Sequence, residues 1–301
     1  MGLCDQVRED TASVMASARF VRIDEEALAA YDPGADEAVP APALSPVEHY
    51  LEGTPGDVSQ YLLTLDAINF GSGWAPTLRK RRDPATGRAV SAARTTAWNL
   101  ADHVRADGVW NAAALRGLRT ETVAAVLGQP ADHELMALYA QALRDLGRFL
   151  GDRCAGDVVA QAGTSAERFG ELLASGMALF HDAGFFKRAQ IAAADQVLGG
   201  VAAFTDLDRL TAFADNLVPH VLRCDGVLIY DPDLAARIDR EELLPPGQAE
   251  REIRAAAVQA CERLAARLAI APMAVDMALW NRGQDPAYKD RPRHRTRCVF
   301  Y

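Results

Sequence analysis

Apolar residues recur every three or four positions along most of this 301-residue chain, and hydroxyl, carboxylate or amide residues repeatedly stand just before each run. That period is helical, and those residues are helix N-caps. Thr54-Pro55 is the clearest start: a capping hydroxyl followed by proline at the first helical position. Tyr61, Leu62, Leu65 and Ile68 then mark one face, and the helix is expected to stop at Gly71-Ser72-Gly73. Further helices are predicted over 5–18, 24–30, 91–103, 111–118, 120–128 (capped by Thr120), 132–149 (opened by Asp132), 165–176, 185–197 and 271–281. Another is predicted from a cap at Asp206 or Asp208 to Ala214, and one over much of 241–268 after Pro245-Pro246. Tyr31 to Pro46 reads as an irregular loop. Phe20 to Ile23 and Thr296 to Tyr301 are short and β-prone. No βαβ rhythm and no internal repeat is present. The expected class is all-α, with room for one small strand pair, in a single compact helical domain over 1–301 whose first helix, within 1–18, is left open as peripheral.

Half of the residues are hydrophobic and the net charge is -9. A chain that acid lacks the basic surplus of a duplex-binding protein, so no direct nucleic-acid partner is expected. The five cysteines are scattered and no Cys/His cluster has zinc spacing, so neither a disulfide framework nor a metal is expected. No apolar run approaches the ~20 residues of a membrane span, and the polar segment after Met1 is unlike a signal peptide; a cytoplasmic protein with no membrane partner is expected. Walker, Rossmann and G-x-S-x-G patterns are absent.

Five segments carry chemistry. In Asp66-Ala67-Ile68-Asn69-Phe70-Gly71-Ser72-Gly73-Trp74, Asp66 and Asn69 share a helix face, and Phe70 and Trp74 are placed to stack on a planar base. A helix C-cap with two core aromatics explains the same residues. Lys187 opens the apolar helix after Phe185-Phe186, against the helix dipole. Asp215 lies in an apolar stretch with Phe213, either as a helix cap before Pro219 or as a buried carboxylate. Asp276 interrupts the apolar Met273 to Trp280 helix, so it faces solvent, pairs with a cation or points into a cavity. Arg291 to Arg297 sets four arginines around His294, suited to phosphate, although a solvated basic tail is the commoner meaning of such a run. The apolar close at Val299-Phe300-Tyr301 favours a tucked segment. His49 is within reach of a pocket but reads better as surface, and His103, His133, His181 and His220 show no ligand spacing.

Leu65 to Phe70, Phe186 to Ile191, Phe213-Ala214-Asp215, Glu252 to Ala255 and His294 to Arg297 occur together in one order, and the chain thereby resembles the queuosine salvage protein family. The resemblance spans the chain from about Phe20 onward. It implies a helical fold related to helix-hairpin-helix DNA glycosylases, hydrolysis of queuosine 5′-phosphate to queuine and ribose 5-phosphate, a small-molecule substrate, and no metal or organic cofactor. For that reaction Asp276 or Asp215 is expected to stabilise the ribosyl cation while the other grips the base, and Lys187 is expected to bind substrate or tune the acid partner. Asp66 would meet the ammonium of the base's side arm. Asn69, Phe70, Trp74, Phe213, Trp280 and His49 would line the base site, and His294 and Arg295 would hold the phosphate. Asn216, Leu217 and His220 depart from the family's pattern, where an aromatic, an arginine and a glutamine are expected. Three readings compete: a deazapurine carrier that does not cleave, a DNA glycosylase, and a scaffold with no ligand, which would leave Asp215 and Asp276 exposed.

Overall fold

Side-chain caps set the starts of many of the helices. In the computed structural model, which describes residues 1–34 and 44–301, Asp24, Thr54, Ser91, Asn111 and Ser165 each accept the backbone N–H three residues on. The order is α1 (Leu3–Ala16), β1 (Val21–Ile23), α2 (Glu25–Ala30), α3 (Pro55–Ala67), α4 (Ala92–Asp107), α5 (Ala112–Arg116), α6 (Thr120–Val126), α7 (Glu134–Leu150), α8 (Ala155–Ala162), α9 (Ala166–Gly176), α10 (Lys187–Leu198), α11 (Val218–Cys224), β2 (Leu228–Tyr230), α12 (Pro232–Asp239), α13 (Gln248–Leu268), α14 (Pro272–Arg282) and α15 (Pro286–Lys289). The protein is therefore mainly helical. β1 and β2 pair antiparallel, with Arg22 opposite Ile229. Part of the expected 31–46 loop, residues 35–43, lies outside the described residues.

Several boundaries differ from the sequence expectation, each for a physical reason. No helix runs from Asp206 to Ala214; a single 3-10 turn spans Leu207–Arg209. Asp206 is already used, accepting from Ser165 Oγ and the Ala166 N–H to cap α9. Side chains then take the backbone bonds of 210–217 in place of helical ones. Gln190 Oε1 accepts from Thr211 N–H, Asp276 Oδ1 accepts from Phe213 N–H, and Arg254 Nε donates to Ala214 O. α13 begins only at Gln248, because Glu241 is left-handed (φ 58°) and Pro245-Pro246 cannot enter a helix interior. Thr120 is the first helical residue of α6, not its cap, and His133 caps α7 through Nδ1 in place of Asp132. Residues 296–301 form no strand.

Two groups of helices bring the chemistry-bearing segments together. α3 packs on α10, α8 and α7, and α13 packs on α1, α14 and α11. α1 buries Leu3, Cys4, Val7 and Thr11. Buried Glu252 on α13 accepts the N–H groups of Arg19, Phe20 and Val21 and so fixes the entry to β1.

Segment 290–301 is threaded into this body. Gly71 N–H donates to Tyr301 O at 2.9 Å, and Arg188 Nη2 donates to Val299 O at 2.8 Å. Gly73 makes the passage: a Cβ there would lie 2.4 Å from Thr296 O and 2.7 Å from Arg297 N. Gly73→Ala is expected to destabilise the protein by about 1–3 kcal/mol, the usual range for overpacking, and to raise amide exchange at Thr296 and Arg297. Unchanged chemical denaturation and exchange would refute this packing role.

Candidate active site

Lysine is seldom buried, and Lys187 is buried at the first position of α10. Phe186 before it is left-handed (φ 48°, ψ 37°), an unfavourable backbone for a bulky residue, and this turn aims Lys187 and Arg188 inward. Lys187 Nζ donates to Asn69 O (3.1 Å) and Asn69 Oδ1 (3.2 Å), leaving one ammonium hydrogen unused by these bonds. Burial depresses the lysine's pKa, while the charges of Asp215 and Asp66 oppose that effect.

Four aspartates surround this lysine. Asp276 on α14 is buried, and its carboxyl pKa is pushed up to about 8, by burial first and by the charge of Asp215 second; the Phe213 N–H and Lys187 act the other way. Asp215 is half-buried, and its Oδ1 accepts from the N–H groups of Leu217 (2.7 Å) and Val218 (3.1 Å) at the start of α11. Asp66 on α3 is fully buried with neither carboxyl oxygen hydrogen-bonded among the described residues, and the half-buried Asp195 of α10 is its acidic neighbour. Burial and its partner raise Asp66 well above the carboxylate range, and burial takes Asp195 to about 7.

Buried arginines hold the surrounding backbone. Arg254 forks onto Asp182, donates to Ala214 O at 2.9 Å, and lies over the rings of Phe185 (3.9 Å) and Tyr301 (4.6 Å). Arg188 donates to Ala67 O, Leu179 O and Val299 O.

The structure thus gathers Asp66, Asn69, Lys187, Phe213, Asp215 and Asp276 about one centre. Other candidates are placed differently. The Phe70 ring packs between Arg188 (4.7 Å) and Tyr139 (5.0 Å). Trp74 donates to Glu134 Oε2 at 2.8 Å beneath Arg297. Trp280 is exposed, and His49 lies among Glu48, Arg105 and Arg94. His294 is buried with neither ring nitrogen hydrogen-bonded among the described residues, and burial followed by the charge of Arg254 lowers its pKa to about 3. Of the residues that depart from the family's pattern, Asn216 donates to His294 O at 3.3 Å and ties segment 290–301 to the loop before α11, while His220 Nε2 lies 2.9 Å from Tyr288 O and ties α11 to α15. Asp195, Arg188 and Arg254 were missed as candidates. The available signal was the spacing of Lys187, Ile191 and Asp195, successive turns of one helix.

A helical body that sets an acidic cluster against a lysine, with Asp276 kept protonated and Asp215 partly open, is an acid–base site of the kind that handles a developing cation. A family model described as queuosine salvage protein matches residues 49–301. A protein of Sphaerobacter thermophilus named queuosine 5′-phosphate N-glycosylase/hydrolase is 33% identical over 97% of this chain and 96% of its own length. Proteins of the same name from Dictyostelium discoideum (35% identical; 39% of this chain, 40% of that protein) and Mus musculus (29%; 53% and 56%) match shorter stretches. The chain belongs to the queuosine salvage protein family.

The Asp276 shift has a consequence for stability. The unfolded carboxyl titrates at 3.8 and the folded one at about 8, so folding takes up a proton and loses stability as pH rises between these values. Asp276→Asn is therefore expected to raise Tm at pH 8 by about 2–5 °C relative to the parent, with the difference shrinking toward pH 4. A Tm lowered at pH 8 would contradict the assigned environment.

Proposed function

We propose that this protein is an N-glycosidase that hydrolyses queuosine 5′-phosphate, releasing queuine for salvage into tRNA modification, and that it acts in the cytoplasm. The observation that carries the reading is the contrast between two neighbouring aspartates. Asp276 is buried and held neutral; Asp215 is half-buried, accepts two backbone N–H groups and lies near Lys187. Breaking a ribosyl–nitrogen bond builds positive charge at the anomeric carbon. A carboxylate facing that carbon stabilises the charge and takes a proton from the attacking water. Asp215 fills this role. The departing base carries carbon in place of N7, so it is not activated by protonation there. Neutral Asp276 and the free hydrogen of Lys187 supply donors to the base as negative charge develops on it. Phe213 stacks on the base, and Asn69 together with the Asp66–Asp195 pair meets its donor-bearing edge and side arm. Burial of Asp276 disfavours the ligand-free scaffold reading.

The test is incubation of purified protein with queuosine 5′-phosphate and detection of queuine by mass spectrometry. Asp215→Asn is expected to lower kcat about 1,000-fold, the scale of a lost electrostatic group. The parent's activity is expected to fall as pH rises through about 8, where Asp276 loses its proton. No queuine from the parent protein would end the activity proposal. Full rate in both Asp215→Asn and Asp276→Asn would end the mechanism alone.

A further inference from the structure

A helix leaves its last carbonyls without partners inside the helix, and buried ones must be met by other donors. At the end of α3 and just beyond it, side chains meet them. The Ala67 carbonyl accepts from Arg188 Nη1 at 2.6 Å, the Asn69 carbonyl from Lys187 Nζ at 3.1 Å, and the Phe70 carbonyl from Tyr139 Oη at 2.7 Å. Asn69 also offers its side-chain Oδ1 to the same ammonium, at 3.2 Å. Both cations belong to the head of α10, where helix-dipole reasoning disfavours them, yet they meet the tail of α3, where it favours them.

Arg188 reaches further than this cap. It is buried, and its Nη2 donates to Leu179 O and, at 2.8 Å, to Val299 O of segment 290–301. Its hydrogen bonds go to carbonyls alone, so it holds backbone and neutralises no acid. The guanidinium also lies 4.7 Å from the centre of the Phe70 ring. Tyr139 of α7 closes the other side of that ring, edge-on at 5.0 Å. Asn69 is thus fixed from both neighbours in the chain: Arg188 holds Ala67 and covers Phe70, and Tyr139 holds Phe70.

Resting on the function proposed above, we infer that Arg188 and Tyr139 are positioning residues for the reaction, acting through Asn69 to hold the Lys187 ammonium where it serves the departing base. A lysine stem is flexible and its ammonium has three rotatable donors. Two hydrogens given to Asn69 leave the third with one direction. If the end of α3 is released, that direction is lost. The loss falls on kcat, because the base gains negative charge only as its bond to ribose breaks.

The chain holds three lysines, Lys80, Lys187 and Lys289, and Lys80 and Lys289 are exposed. Protein carrying isotope-labelled lysine therefore gives a simple NMR spectrum, in which Lys187→Met identifies the buried residue. The two Cε protons of a held lysine are distinct, whereas exchange among rotamers averages those of a mobile one. Distinct Lys187 protons are expected in the parent, a smaller separation in Tyr139→Phe and averaging in Arg188→Met. With queuosine 5′-phosphate, kcat is expected to fall about 100-fold in Arg188→Met, the scale of a misplaced catalytic group. It is expected to fall about 5-fold in Tyr139→Phe, the scale of one hydrogen bond. KM should stay within about 3-fold of the parent in each. Tyr139→Phe removes one oxygen and keeps the ring, so it decides the matter if Arg188→Met does not fold. Averaged Lys187 protons in the parent, unaltered ones in the folded variants, or a loss carried by KM at unchanged kcat would overturn the clamp. The NMR comparison needs no substrate, so it tests the clamp even where the parent releases no queuine.

Discussion

The guanidinium of Arg254 links parts of the chain that must meet for the site to exist. It is buried in the middle of α13 and bonds Asp182 before the turn that aims Lys187. It also bonds the carbonyl of Ala214, the residue before Asp215, and covers the ring of Tyr301 in segment 290–301. A buried cation without partners is strongly destabilising, so each of these contacts satisfies Arg254 as much as Arg254 positions it. That mutual dependence explains why 210–217 is not helical. A helix there would withdraw Ala214 O from Arg254 and Phe213 N–H from Asp276.

Similar residue types acquire different properties from their surroundings. Asp276 accepts one backbone N–H in a buried setting and is kept protonated; Asp215 accepts two at a helix start and retains contact with solvent. Asp66 and Asp195 are a third case, in which burial raises both carboxyl groups above the usual range. Lys187 stands where these environments meet. Its position at the head of α10, unfavourable by helix-dipole reasoning, is offset by the neighbouring acids.

Local signals were readable in the sequence. Thr54-Pro55, Ser91, Asn111 and Ser165 start helices where expected, because a cap needs only the residues that follow it. Signals that depend on distant partners were not. Asp206 has the form of a cap for its own segment but serves Ser165 and Ala166, about forty residues earlier. β1 was foreseen, but its partner Leu228–Tyr230 was not. Within the site, Lys187, Asp215 and Asp276 stood out because each is a charge within an apolar run. Asp195 did not, because its meaning comes from Asp66 on another helix. Phe70 and Trp74 illustrate the converse: aromatic residues beside a glycine turn suit a stacking platform, but the buried Arg188 and the Glu134–Arg297 pair take up their rings.

Arg293, Arg295 and Arg297 are alike in sequence and sit at every second position, so only their neighbours separate them. Arg297 pairs with Glu134 over Trp74, and Arg295 closes the turn at Glu241. Both therefore fix the course of the segment, which Gly73 admits against backbone. The same segment is also tied to the loop that carries Asp215, because Asn216 Nδ2 donates to His294 O.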